Sequence, residues 1–355
     1  MKSLLVAILA TILVGFSQYT FAQENATSGE AKEEKFDPAK EIMGHIKDAY
    51  EFHFFTVGNF HATIPLPVLL YSPQKGFSAF SSSHFGHEHE NTYDGYKMEN
   101  GNIVPVEEGV KVYDFSLTKN VVQMMIALLV LVLLLTGIAK KYKNGYGVTS
   151  APKGWQNAIE PVVTFIRDEV GKPNLGSRWE RYMPYLLTVF FFILINTLFG
   201  LVPGSANVTG NIAFTIVMGV ISFIVITLST DRHYWGHIFW PHVPHGVKPI
   251  LIPVEILGIF TKPFALIIRL FANMVAGHII ILSFISLIFI FGGMSHVAGW
   301  SFSPISILFT VFIYFIELIV AFIQAFIFTN LTAVFIGQAF EGSDKGAAHH
   351  DEVIL

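Results

Sequence analysis

The chain has 355 residues, 52% of them hydrophobic and only 14% charged, a balance far from that of a water-soluble domain. A formal net charge of −4 offers no basic surface to a nucleic acid, and the absence of cysteine excludes disulfides, cysteine-ligated zinc and thiol nucleophiles. Composition therefore points to a membrane protein, and the apolar runs taken in order below predict a polytopic, all-α one.

The chain opens with Lys2, an apolar run over 4–16, and Thr20-Phe21-Ala22, which sets small residues at the −3 and −1 positions of a cleavage site. This reads as a signal peptide over 1–22, too short and wrongly flanked for a stable span. Residues 23–119 follow as an extracytoplasmic region, polar and then rich in Gly, Ser, His and Asn, with no obvious compact domain. Within it, 52–70 is more apolar and is expected to dock on the membrane surface. The tract His84-Phe85-Gly86-His87-Glu88-His89-Glu90 reads as a solvated loop in preference to a metal site.

A transmembrane domain is predicted over 120–341. Crossing a bilayer takes about 20 apolar residues, and five stretches qualify: 121–139, 183–202, 211–228, 249–291 and 304–340. The last two exceed one perpendicular crossing, which predicts a long, tilted C-terminal helical hairpin. Between the first two spans, Trp155, Ile159, Val162, Val163 and Ile166 recur at helical spacing within 152–169 and predict an amphipathic helix along the interface. Lys and Arg concentrate between Lys140 and Arg181, at Arg232 and Lys248, and at Lys345 in the tail 342–355. Loops 203–210 and 292–303 carry neither. The positive-inside rule then puts the N-terminus outside and the C-terminus in the cytoplasm.

Ionisable residues within spans cost roughly 2.5 to 3.5 kcal/mol each on insertion scales, so each calls for a reason. The fourth stretch holds Glu255, Lys262, Arg269, Asn273 and His278; the fifth holds Glu317 and Gln324. Glu255, Lys262 and Arg269 are seven apart, which offsets successive members by only about 20° on a helix. Asn273, one turn beyond Arg269, continues that seam, whereas His278 points to about the opposite side. Glu317 and Gln324 share one face of the next helix. Glu255 and Lys262 could equally form internal ion pairs or snorkel to the interface, and His278 could be a hydrogen-bonded packing residue. Arg269 is always charged and has no carboxylate within two turns of its own helix, so a partner from another chain is expected. His278 and Glu317 can titrate, which suits a proton relay.

Residues 262–278, with Arg269-Leu270-Phe271-Ala272-Asn273 at their centre, and residues 321–329, with Gln324-Ala325-Phe326-Ile327-Phe328, resemble the signature segments of the subunit a family of F-type ATP synthases. The resemblance covers about 121–341 and leaves the N-terminal region outside. It implies a proton-conducting stator subunit with two offset half-channels and no catalytic site of its own. Arg269 matches the arginine that faces the rotor carboxylate, Gln324 the glutamine near it, and Asn273 the asparagine one turn on. Glu255 and Lys262 match polar positions toward the cytoplasmic side. His278 and Glu317 match a pair lining the outer access path, with the Glu and His of some relatives exchanged. The implied partners are the rotor c-subunit ring, peripheral-stalk b subunits, other synthase subunits and the lipid of a bacterial inner membrane, with no cofactor.

Two rival readings differ in class. A free-standing transporter would be expected to show internal repeats or paired broken helices, which the sequence lacks. An intramembrane metal enzyme could use His233, His237, His242 and His245, but no H-E-x-x-H pattern accompanies them.

Overall fold

The computed structural model describes residues 47–57, 60–86, 91–99, 101–107, 109–145, 151–202, 204–230 and 248–351, with side chains at 55–57, 60–61, 249, 262 and 339–351 left aside. The expected signal peptide, the residues 87–90 of the His/Glu tract and the histidines of 233–245 lie outside the described residues. The chain divides into two compact units, 1–119 with 203–206 and 120–202 with 207–355.

The first unit is a small β-structure, where no compact domain was expected. Strands β1 (Glu51–Val57) and β2 (Phe60–Pro65) form an antiparallel pair. A three-stranded antiparallel sheet follows in the order β4-β3-β7, from β3 (Pro67–Ser72), β4 (Gly76–Ser81) and β7 (Tyr113–Asp114). Strands β5 (Tyr96–Glu99) and β6 (Asn102–Pro105) make a hairpin. Side chains alternate between the two faces of a strand, and β3 obeys this strictly: Val68, Leu70 and Ser72 are buried. Val68 and Leu70 meet Tyr50, Phe85, Tyr96 and Ile103 in the core of the unit. The apolar stretch 52–70 thus belongs to three strands, and part of it fills this core. The Tyr50 hydroxyl donates to Asp114 Oδ2 at 2.5 Å, fastening the start of the unit to its last strand.

The second unit is helical throughout. Helix α1 (Lys119–Lys143) ends on Lys140, Lys141 and Lys143. Helix α2 (Trp155–Phe165) passes through a π-helical turn at Ile166–Gly171 and a short helical turn at Lys172–Leu175 into α3 (Trp179–Gly200). The predicted amphipathic face is real: Ile166 is buried, and Ile159, Val162 and Val163 pack on the main core, while Trp155 stays exposed. Helix α4 (Ile212–Leu228) is capped by Asn211, whose side chain accepts from the Ala213 N–H at 2.9 Å. Two long helices close the chain, α5 (Lys248–Met294, 47 residues) and α6 (His296–Asp351, 56 residues). Four segments among the described residues are long and apolar enough to cross a membrane, with α4 as a shorter apolar helix beside them. The five predicted stretches all fall on α1, α3, α4, α5 and α6.

At 1.5 Å per residue α5 is about 70 Å long, more than twice what one perpendicular crossing needs. Helices α5 and α6 turn back on each other around Ser295 as an antiparallel hairpin. Close approach at the turn requires glycine, since a Cβ on Gly299 would stand 2.8 Å from Gly292 Cα. Below it Phe291 stacks on Phe302 at 4.0 Å and Phe284 on Phe309 at 5.4 Å. Helix α4 is drawn onto α5 by Gly219, where any side chain would run into Ile267. The core joins Leu186, Phe190 and Ile193 of α3 to Leu266 and Leu270 of α5 and Ala325, Phe328 and Ile336 of α6.

Burial and the Asp114 carboxylate both push the Tyr50 hydroxyl above its ordinary pKa of 10. A folded-state pKa above the unfolded one gives stability that is whole below pH 10 and lost as pH rises through it. Alkaline titration of the first unit, followed by tyrosine-sensitive near-ultraviolet circular dichroism, should therefore show melting above pH 10. Tyr50→Phe should remove that dependence while costing about 1 kcal/mol at neutral pH from the lost hydrogen bond.

Candidate functional site

The polar residues of the membrane helices are sorted by the face each presents. On α5, Leu266, Leu270, Met274, Gly277 and Ile281 are buried, a stripe at three- and four-residue spacing against the rest of the unit. Arg269 and Asn273 fall off that stripe and are exposed on the apolar surface of the helix. Arg269 makes no hydrogen bond or ion pair within the described residues; the ion pairs there are Lys97–Glu99, Arg167–Asp168 and Lys172–Asp168. Glu255 is half-buried further toward the start of α5. Lys262 belongs to the same helix, but its side chain is outside the described residues.

His278 turns the other way, as the 100° step per residue requires. Its Nδ1 lies 3.0 Å from the Met274 carbonyl oxygen, one turn back, and its Nε2 lies 3.0 Å from the Gly200 carbonyl oxygen at the end of α3. Carbonyl oxygens only accept, so both contacts are hydrogen bonds when both ring nitrogens carry protons. Asn196, one turn before Gly200, is fully buried on the same side of α3, and its Oδ1 has no hydrogen-bond partner among the described residues.

Glu317 is 7% exposed, and neither of its carboxylate oxygens has a hydrogen-bond partner among the described residues. It lies flat against the bare backbone of Gly277, the neighbour of His278, where an added Cβ would overlap the carboxylate. The hairpin register follows from this contact. Phe291 faces Phe302, Phe284 faces Phe309, and Gly277 faces Glu317, each about seven residues further along both helices. One more step of seven brings Gln324 level with Leu270, and so level with Arg269. Gln324 is 6% exposed, on the inner side, whereas Arg269 faces outward.

The structure thus brings His278 and Glu317 to one internal level of the hairpin, with Gln324 beneath them, and leaves Arg269 and Asn273 on its outer surface. This is the two-sided arrangement that helical spacing predicts. Several participants escape a reading of charge alone. Thr310 is buried seven residues before Glu317, so Thr310, Glu317 and Gln324 form one polar ladder along α6. Asn207 and Thr209, in the loop before α4, are also buried, and Asn207 Nδ2 and Thr209 Oγ1 have no partner among the described residues. A neutral Thr in a long apolar run, or an Asn in the loop beside one, carries no charge to draw attention to it. Spacing to a carboxylate is the signal that would have singled out Thr310. Among the described residues no cluster of His, Asp and Glu could hold a metal ion; His84 packs its ring edge-on against Tyr93 at 4.1 Å.

Residues 121–337 match the family model described as ATP synthase A chain, which takes in nearly all of α1, all of α2 to α5 and most of α6. Residues 41–124 match a separate model, described only as a domain of unknown function (DUF8433). The chain is 46% identical over 242 residues to the ATP synthase subunit a of Chloroherpeton thalassium, covering 67% of this chain and 71% of that relative. It is 42% identical over 259 residues to the ATP synthase subunit a of Chlorobium phaeobacteroides, covering 70% and 74%. A relative from Anaeromyxobacter, also an ATP synthase subunit a, is 40% identical over 276 residues, covering 75% of this chain and 63% of its own. Helices of membrane-spanning length, the buried His278–Glu317 level and the match across 121–337 agree: the chain is a multi-pass membrane protein and belongs to the ATP synthase A chain family.

Proposed function

We propose that this chain is the proton-conducting stator subunit of an F-type ATP synthase, and that Arg269 is the group against which a rotor carboxylate discharges and reloads. The observation that carries the reading is the Arg269 guanidinium itself, permanently charged, outward-facing on an apolar helix and without an ion pair or side-chain hydrogen bond among the described residues. Such a charge is costly in a bilayer and becomes favourable when a carboxylate of a neighbouring chain meets it. The face carrying Arg269 and Asn273 would then oppose the rotor ring, while the core-facing side of α5 packs on α3, α4 and α6.

Protons would reach the ring from the outer side along the internal polar level, past Asn207, Glu317 and His278, and leave toward the cytoplasm past Glu255 and Lys262. The two paths do not join. Arg269 and Gln324 stand at the level where they would otherwise meet, and a fixed positive charge there repels a proton moving straight through. Each elementary charge crossing is worth about 2.3 kcal/mol per 100 mV, so a leak at this point would dissipate the driving force. The buried carboxyl of Glu317 and the imidazole of His278, which sit on adjacent positions of the hairpin, are groups able to take and release protons. The remaining partners follow from the same reading: peripheral-stalk subunits, the other synthase subunits and lipid. The N-terminus lies outside and the C-terminus in the cytoplasm, in the orientation that the distribution of Lys and Arg favours.

Three substitutions test this scheme in inverted membrane vesicles. Arg269→Ala should reduce proton-driven ATP synthesis to background while the complex still assembles and copurifies with the ring; retained coupling overturns the assignment. Glu317→Gln should lower the rate of proton uptake several-fold, read by quenching of a pH-sensitive dye. Gly277→Ala leaves every ionisable group in place but drives a methyl into the Glu317 carboxylate. It should therefore reproduce the Glu317→Gln flux defect, and an unaltered flux would show that the Glu317 position does not matter. ATP synthesis driven by a pH difference should be indifferent to sodium.

A further inference from the structure

The three-stranded sheet of the first unit buries one face and leaves the other bare. Cross-strand partners lie on the same face of a sheet. Tyr71 is paired with Phe77 on one side and with Tyr113 on the other, which sets three aromatic rings in a row across β4, β3 and β7. The next row is Ala79, Leu69 and Phe115, with Leu69 paired to Ala79 and its carbonyl accepting from the Phe115 N–H at 2.9 Å. All six are uncharged, and the aromatic ones are widely open: Phe77 65%, Phe115 64%, Tyr113 52% and Tyr71 45% exposed. An uncharged patch with four open aromatics is unusual on a surface meant for water and marks a contact surface.

Chain continuity says what covers it. Beyond Phe115 the edge stays hydrogen-bonded, the Leu117 N–H donating to the Pro67 carbonyl at 3.2 Å and the Lys119 N–H to the Ala49 carbonyl at 2.9 Å. Lys119 is the first residue of α1, a helix long and apolar enough to span a membrane. From Phe115 to the apolar run at Val121 is six residues, at most about 20 Å of extended chain. The aromatic face is therefore held within a short tether of the bilayer surface from which α1 departs. Tyr, an apolar ring with a polar tip, partitions to that boundary, and the Phe rings beside it supply apolar area that can enter the acyl edge. The opposite face is closed by the core beneath the β5–β6 hairpin, whose Lys97–Glu99 ion pair is in solvent.

We propose that the Phe77–Tyr71–Tyr113 and Ala79–Leu69–Phe115 face is a lipid-docking surface that seats the β-unit on the headgroup boundary of the bilayer at the start of α1. It takes only Leu69 from the stretch 52–70 first expected there, in which Leu66, Val68 and Leu70 are buried. The proposal is independent of the proton-conducting reading and would stand if that reading failed.

The test uses the full chain in nanodiscs of mixed zwitterionic and anionic phospholipid. With no native cysteine, single spin labels can be placed at Phe77→Cys, Tyr113→Cys, Phe115→Cys and, as the water-facing control, Glu99→Cys. All four sites are exposed, so the variants should melt as the parent does, and two of the three face sites suffice for a decision. Power saturation should show collisions with oxygen dominating at the three face positions and collisions with a water-soluble nickel chelate dominating at 99. Nickel dominance at the face positions would overturn the proposal by leaving them in water. Shielding from both reagents would overturn it too, by showing that protein covers the face.

Discussion

A guanidinium that cannot lose its charge stands on the outside of a mainly apolar helix, and the packing of that helix decides which way it faces. Arg269 is kept outward because Leu266 and Leu270, on either side of it, are claimed by the core. The helix cannot rotate to hide the charge without exposing that stripe. The core in turn is large: α3, α5 and α6 share one continuous apolar cluster. Between membrane helices the hold comes from close van der Waals packing, and turning α5 to bury Arg269 would pull Leu266 and Leu270 out of that packing.

The same register that turns Arg269 out turns Glu317 and His278 in. Gly277 is central to this, because only a residue without a Cβ lets the Glu317 carboxylate lie on the α5 backbone. His278 then sits between two main-chain carbonyls from different helices, each 3.0 Å from a ring nitrogen, so the atoms it faces are backbone and not flexible side chains. A site held by backbone is rigid. Thr310, Glu317 and Gln324, repeating every seven residues, keep a polar line facing the same way for two turns on either side of the carboxylate.

The β-unit follows a different logic. It is small, and its stability depends on a handful of large side chains, Tyr50, Phe85 and Tyr96 among them, and on the Tyr50–Asp114 bond that joins its ends. A sheet of three short strands with one open aromatic face is poorly protected from solvent and from other sheets. Covering that face would stabilise the unit by taking its aromatic rings out of water.

Much was legible without coordinates. The five apolar runs, the amphipathic helix before the second span and the opposed faces of Arg269 and His278 follow from length and the 3.6-residue period alone, because in an apolar solvent a backbone must satisfy its own hydrogen bonds and helices do so locally. The β-unit was not legible: its strands pair residues far apart in sequence, Leu70 with Asp114 for instance, and its composition resembles a polar loop. Nor could spacing say that Glu317 meets Gly277, that His278 reaches Gly200, or that Gln324 stands level with Arg269. Those facts depend on the register between α5, α6 and α3, which is set by where glycines permit close approach and where aromatic rings stack. Sequence period fixes the face a side chain takes on its own helix; only the packing of one helix on another decides what that face meets.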